Sequence, residues 1–213
     1  IMKSKFAQKF NHDPSAAIYD QVVKNEKHPI RTGYSNMMKW VNENTQDSNI
    51  IVDLGCGTGN TTKAVEFFDK IYCVDVSQNM LNIARIKLKN EKNIIFIKTD
   101  LLELFDDHQK FETVDTIIST FAIHHLTQEE KHLLFEKVYM LLPKGGKVIF
   151  GDLMFKSSNY ENEMREKYPE LIGDFDDEYY WNLEDELKIL QSLGFRIEIT
   201  KFSDLSWGII GEK

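Results

Sequence analysis

Only two cysteines occur in 213 residues. Cys56 lies in a glycine-rich turn and Cys73 in an apolar run, so neither a disulfide framework nor a cysteine metal cluster organises the fold. Long apolar runs are also missing. The longest, such as IIVDL, are strand-sized and far short of the roughly 20 residues a bilayer span needs. The first residues, IMKSKFAQKF, lack the apolar centre and small-residue cleavage site of a secretory signal, and the expected location is cytoplasmic. No internal repeat, low-complexity tract or flexible linker is present. Concentrated basic patches are absent too: the formal net charge is −8. Residues 156–190 carry eleven Asp and Glu against four Lys and Arg, which accounts for nearly all of that imbalance. Affinity for nucleic acid rests on Lys and Arg displacing counterions, so nucleic acid is not an expected partner. The histidines show no H-x-x-x-H spacing, and His12, His28, His108 and His132 are scattered, so no metal site is expected.

What remains is an ordinary globular composition, 42% apolar and 28% charged, in a length that suits one domain. Short β-branched runs alternate with longer helical patterns, which predicts an α/β fold with a parallel sheet and crossover helices. The expected strands are residues 50–54, 71–75, 94–98, 114–119 and 147–152. SQNMLNIARIKL opens on Ser77 as an N-cap, and TQEEKHLLFEKVYMLL opens on a capping box of Thr127 and Glu130. Pro143 in LPKGG stops the latter. In NLEDELKILQSLGF, Asn182 can cap and Gly194 stands past the end. FRIEITKF and SWGIIGEK leave no room for a crossover helix, so they should pair antiparallel at a sheet edge. Residues 1–49 read as a helical N-terminal cap with a loop at NHDPSAA. Residues 50–155 form the core, 156–181 an acidic insertion, and 182–213 the last helix and hairpin.

The stretch VDLGCGTGN, residues 52–60, ends a strand in a turn of three closely spaced glycines and feeds a helix. Exposed backbone N–H groups at such a turn accept close approach of a ligand. Its G-x-G-x-G spacing lacks the extra residue of the dinucleotide fingerprint. Asp53, two residues ahead, sits badly beside a pyrophosphate but suits a ligand carrying positive charge. Asp75 ends the second strand, where a carboxylate can accept both ribose hydroxyls, and Asp100 follows the third, in reach of an adenine amino group. Each also has a plainer reading, as a turn cap, a helix cap and a loop residue respectively.

VDLGCGTGN, VDVS at Asp75, TDLL at Asp100, IISTFAIHHL and LPKGGKVIF together resemble the ordered motifs of class I S-adenosylmethionine-dependent methyltransferases. The pairing of a YD near the N-terminus with HHLT after the fourth strand is similar to the YrrT-like group of small bacterial methyltransferases. The resemblance implies a doubly wound, mostly parallel seven-stranded Rossmann-like sheet with an antiparallel C-terminal hairpin, and S-adenosyl-L-methionine as cofactor. It implies Gly55, Cys56, Gly57 and Gly59 along the methionine part with Asp53 near its amino group, and Asp75 on the ribose. Val76 and Met80 flank the adenine, Asp100 and Leu101 meet its edge, and the backbone of Ser119, Thr120 and Phe121 lies near the donor end. Family members often carry Glu where this chain has the shorter Asp75. Neither an N/D-P-P-Y/F motif nor a Pro-Cys pair, signatures of base methylation, occurs.

Methyl transfer is an in-line displacement on an activated donor, so positioning and water exclusion supply most of the catalysis, and a base is needed only for an acceptor such as a hydroxyl. His125 is the preferred candidate for that role and Tyr19 a second, folding over the methyl group from the N-terminal helices; Asp152 ranks behind them. The alternatives are a His124–His125 pair that merely packs and binds a backbone carbonyl, and a core Tyr19. The insertion NYENEMREKYPELIGDFDDEYYW reads either as a solvated acidic helix or as a lid over a small acceptor, one carrying an amine, with Asp176 and Asp177 as its charges. The expected activity is S-adenosylmethionine-dependent methyl transfer to a small molecule. A cofactor-binding regulator without catalysis and an NAD-dependent oxidoreductase are the rival readings, and the oligomeric state is not legible.

Overall fold

The computed structural model describes residues 16–106 and 113–213; His12, His108 and the first five residues of NHDPSAA lie outside them. The chain opens with helices α1 (Ala16–Val23) and α2 (Tyr34–Asn44), so the last two residues of the expected loop already belong to a helix. Five strands and three helices follow: β1 (Ile50–Leu54), α3 (Asn60–Ala64), β2 (Lys70–Asp75), α4 (Gln78–Lys87), β3 (Ile94–Lys98), β4 (Thr116–Thr120), α5 (Gln128–Leu141) and β5 (Lys147–Phe155). The acidic stretch forms α6 (Ser158–Lys167), α7 (Ile172–Asp177) and a two-residue strand β6 (Trp181–Asn182). Helix α8 (Leu183–Leu193) and the hairpin β7 (Arg196–Lys201) and β8 (Ser206–Glu212) complete the chain.

The strand order is β3-β2-β1-β4-β5-β8-β7, with β6 paired to the far end of β5. Strands β1 to β5 are parallel to their neighbours, while β8 runs antiparallel to both β5 and β7. The expected mixed α/β sheet is therefore present, with the short β6 as an unforeseen eighth strand. Central strands are buried on both faces, which is why they read as unbroken apolar runs; the edge strand β7 alternates Arg196, Glu198 and Thr200 with two isoleucines. Such charges keep an unpaired strand edge from pairing with another chain.

Side-chain caps open α4, α5 and α6. The Ser77 hydroxyl accepts from Met80 N, and Thr127 and Glu130 complete the reciprocal capping box. Strand β2 begins one residue before the expected start, and β4 spans Thr116–Thr120 where 114–119 was expected. Strand β5 continues to Phe155, because β8 pairs with it through Leu153 and β6 pairs with Met154 and Phe155. Asn182 makes no side-chain cap; its Nδ2 donates instead to Ser158 Oγ at 3.0 Å.

Two apolar clusters cover the two faces of the sheet, one including Phe135, Phe150 and Trp181, the other including Val41, Ile71 and Leu81. A third joins Ile30 and Met37 from the N-terminal segment, Phe121, Leu153 and Phe155 from the strand ends, and Phe175 from α7. Met37 approaches β5 so closely that a Cβ on Gly151 would collide with its sulfur. Phe175 is 5% and Trp181 0% exposed. Burying each is worth about 1.5–3 kcal/mol, against less than about 1 kcal/mol for a solvated ion pair such as Arg165–Asp176. Aromatic burial, rather than its charges, anchors the acidic stretch.

Candidate functional site

The order of strands reverses between β1 and β4, and at such a switch point the carboxyl ends of an α/β sheet open a crevice. The glycine turn lies there. Gly55, Gly57 and Gly59 have φ of +69°, +52° and +79°, the left-handed region that glycine alone enters without strain. At Gly55 a side chain would also collide with the Ala122 methyl, whereas at Gly57 nothing lies within 4 Å of an added Cβ. The turn is tied to β2 by Cys56 N donating to Val74 O at 2.9 Å.

Asp75 joins this turn to the next helix: one carboxylate oxygen accepts from Gly57 N and the other from Ser77 N, both at 2.8 Å. The helix cap itself is Ser77, not Asp75. Asp53 is fully buried; one oxygen accepts from Thr62 Oγ1 at 2.6 Å and the other, Oδ1, has no hydrogen-bond partner. Burial, with a smaller contribution from the Asp75 charge, raises Asp53 to about 7. Asp100 is buried and accepts from Leu102 N at 2.8 Å, which fixes the turn after β3. Met80 is buried and Val76 and Leu101 half-buried. The Ser119 hydroxyl is committed to the Leu54 carbonyl at 2.8 Å, and Thr120 shares a hydrogen bond with Thr61. An uncrowded left-handed turn, an acceptor oxygen in want of a donor, and acidic groups at three strand ends fit a nucleoside ligand with a cationic tail.

Residues of α1 and α2 close this turn, and of these the sequence assigns a role only to Tyr19. Asp20 of α1 accepts from Thr58 Oγ1 at 2.6 Å and Asn60 Nδ2 at 3.1 Å, and pairs with Lys87 of α4 at 2.7 Å. Burial pushes Asp20 up, but the Lys87, Thr58 and Asn60 hydrogen bonds outweigh it and hold the carboxyl below its ordinary value. Tyr19 and Tyr34 line the cavity above the turn, and Tyr34 stacks on Phe121 with ring centres 5.6 Å apart. Phe121 itself stands at φ +51°.

A second cavity begins on the other side of Tyr19 and Phe121, bounded by Arg31, Leu153, Asp174, Glu178 and both histidines. His124, 4% exposed, is held from β5: its Nδ1 lies 2.5 Å from Asp152 Oδ1, and its backbone N donates to Asp152 Oδ2 at 2.9 Å. Trp181 Nε1 donates to that same Oδ2 at 3.1 Å. On the facing side, Glu178 Oε2 lies 3.6 Å from His124 Nε2 and Glu178 Oε1 lies 3.8 Å from His125 Nδ1. Burial pushes the Glu178 carboxyl up, His124 draws it down, and Asp174 and Asp152 add to the rise. The acidic segment is fastened at this point by Tyr179 N donating to His124 O at 2.9 Å and by buried Lys131 donating to the Tyr179 carbonyl. Burial lowers Lys131 to about 8.

His125 and Tyr19 line one cavity together with His124, a candidate ranked behind His125, and it is His124 that Asp152 holds in place. Asp176, expected as a lid charge, is 63% exposed and pairs with Arg165, and Asp177 is exposed; Asp174 and Glu178 face the cavity instead. Asp174 stands on α7, whereas Glu178 follows the helix end in extended backbone, next to Tyr179, whose N donates to the His124 carbonyl.

A family model described as a methyltransferase domain matches residues 51–146. An uncharacterized methyltransferase of Geobacillus sp. (strain WCH70) is 32% identical over 196 residues, covering 89% of this chain and 90% of that one. Another, from Bacillus cereus (strain ATCC 10987), is 31% identical over 163 residues and 74% of each chain. Among solved structures, the DhpI-SAM-HEP complex superposes with a TM-score of 0.71 at 16% identity, over 97% of this chain and 96% of that one. Magnesium protoporphyrin IX methyltransferase from Synechocystis PCC 6803 with bound SAH does so with a TM-score of 0.67 at 18% identity, over 95% and 96%. Both share the fold.

Proposed function

The chain belongs to the methyltransferase-domain family, with S-adenosyl-L-methionine as its cofactor, and from that premise we propose that it methylates a small molecule held in the cavity of His124, His125 and Glu178. When bound, S-adenosylmethionine supplies a methyl group on a positively charged sulfur, open to in-line displacement by an acceptor lone pair, with S-adenosylhomocysteine and the acceptor's proton as the other products. The observation that carries the reading is a shared wall: Tyr19 and Phe121 line both the glycine-turn cavity and the acidic one. A donor in the first and an acceptor in the second meet there, and orientation of the two is the main source of rate.

On this reading the glycine turn at Gly55, Cys56, Gly57 and Gly59 holds the methionine part, with Asp53 Oδ1 taking a donor from its ammonium end. Asp75, at the end of β2, meets the ribose. Val76, Met80, Asp100 and Leu101 frame the adenine, and the backbone at Ser119, Thr120 and Phe121 borders the donor end. Tyr19 closes the site against water. Asp152 fixes the His124 ring with its Nδ1–H inward, so that Nε2 carries the lone pair. His124, His125 and Glu178 border the reacting atom of the acceptor. The YD and HHLT motifs support placement in the YrrT-like group as part of this proposal.

Turnover of methyl-labelled cofactor against a panel of thiols, amines and hydroxy compounds tests it. The expected outcome is a labelled small product with at least one class. Tight binding of S-adenosylmethionine and S-adenosylhomocysteine with no transfer to any class would instead identify a cofactor-binding regulator.

A further inference from the structure

We propose that His124 Nε2, His125 and Glu178 form a site for one divalent transition-metal ion of the zinc type, placed against the acceptor. This inference rests on the reading of that cavity as the acceptor site and deepens it. One ligand atom from each of the three residues lies within 4.8 Å of the others, and the Glu178 oxygens stand 3.6 and 3.8 Å from their histidine nitrogens. Tetrahedral coordination at about 2.0–2.2 Å sets neighbouring donors roughly 3.3 Å apart, so small side-chain rotations bring the three onto one ion. Two imidazoles and one carboxylate leave a position open, the donor set that catalytic zinc sites use.

The outer contacts point the same way. A metal-binding histidine generally donates its other ring N–H to a carboxylate, which fixes the tautomer and raises its basicity. His124 does this to Asp152, whose Oδ1 also accepts from Leu153 N at 2.8 Å and whose Oδ2 accepts from Trp181 Nε1 and His124 N. Asp152 is saturated and serves as a positioning residue. Charge supports a cation: Glu178 and Asp174 line the cavity opposite Arg31, whose guanidinium lies 5.4 Å from the centre of the Phe121 ring, while Asp152 also interacts with the buried Lys131 ammonium. An ion in this position lowers the pKa of an acceptor hydroxyl or thiol, so an oxygen or sulfur acceptor, rather than an amine, is the class expected. The sequence concealed the set because His124 and His125 are adjacent and Glu178 is distant.

Titration of Co²⁺ into the chelator-treated full chain tests the proposal by calorimetry and visible absorption. The expected result is one Co²⁺ per chain with the intense bands of a low-coordinate site, displaced by Zn²⁺. His125→Asn and Glu178→Gln, both at the cavity surface, each lower affinity at least tenfold while S-adenosylhomocysteine still binds and the circular dichroism is unchanged. Asp152→Asn lowers it by about 10–100-fold. Absence of stoichiometric uptake, or uptake equal in the variants, overturns the metal. If methyl transfer then continues at full rate in chelator, the acceptor reading stands without it. Stoichiometric uptake lost in the variants upholds the metal even before an acceptor is found.

Discussion

The two cavities that meet at Tyr19 and Phe121 are made differently. The glycine turn holds its shape through backbone geometry: three left-handed glycines, a Cys56–Val74 main-chain bond, and an Asp75 carboxylate bridging Gly57 and Ser77. The turn and its ties lie between residues 55 and 77, and Tyr19, Tyr34, Thr120 and Phe121 complete the lining of its cavity. The acidic cavity is made of side chains from four distant stretches, near Arg31, His124, Asp152 and Glu178, brought together by the third apolar cluster. A backbone cradle tolerates many side chains but few changes of conformation, whereas a side-chain wall depends on the identity of every member.

Asp152→Asn should break the contrast most sharply. It removes the charge that orients His124 and should lower methyl transfer by about 10–100-fold, while S-adenosylhomocysteine affinity measured by calorimetry stays within about twofold. A matching loss of cofactor affinity would mean the halves are not separable. Next in size, Gly55→Ala combines a left-handed backbone with collision against Ala122. Strain alone, about 1–2 kcal/mol, predicts a loss of cofactor affinity of roughly 5–30-fold, with the collision adding to it. Gly57→Ala carries the strain without the collision and should cost less. Equal losses would show that crowding is irrelevant at this turn.

Asp53 offers a test by pH. Its folded value near 7 exceeds the ordinary carboxylate value, so the folded protein holds a proton there that the unfolded chain releases. Its contribution to stability is therefore full below about pH 4 and is lost as pH rises through about 7. A cationic ligand favours the charged carboxylate, so S-adenosylhomocysteine affinity should rise from pH 6 to 8. That rise should be absent in Asp53→Asn; a slope that persists would assign it elsewhere. The smallest effect is expected at Asp176→Asn, where acceptor KM should not move, because the carboxylate pairs outward with Arg165. Glu178→Gln, two residues on, should change it clearly.

The cradle was legible in the sequence to a degree the wall was not. VDLGCGTGN, Ser77 with its cap, and the Thr127–Glu130 box act through neighbours within a few residues, so periodicity and spacing expose them. So did the antiparallel hairpin, since no helix fits between its strands. Strand β5 ran longer than expected because its partners β6 and β8 lie far along the chain. Asp20 was invisible as a clasp because Thr58, Asn60 and Lys87 reach it across 38 to 67 positions. Which carboxylates of DFDDE face inward was equally hidden.

By itself, then, the sequence determined the alternating architecture, the left-handed glycine turn and the acidic strand ends, because those follow from local backbone preference and from the period of apolar residues. Only the tertiary structure decided that His124 is oriented by Asp152, that Glu178 rather than Asp176 faces both histidines, and that Tyr19 stands between the two cavities. Those contacts are fixed by which apolar surfaces bury one another, and burial is indifferent to distance along the chain.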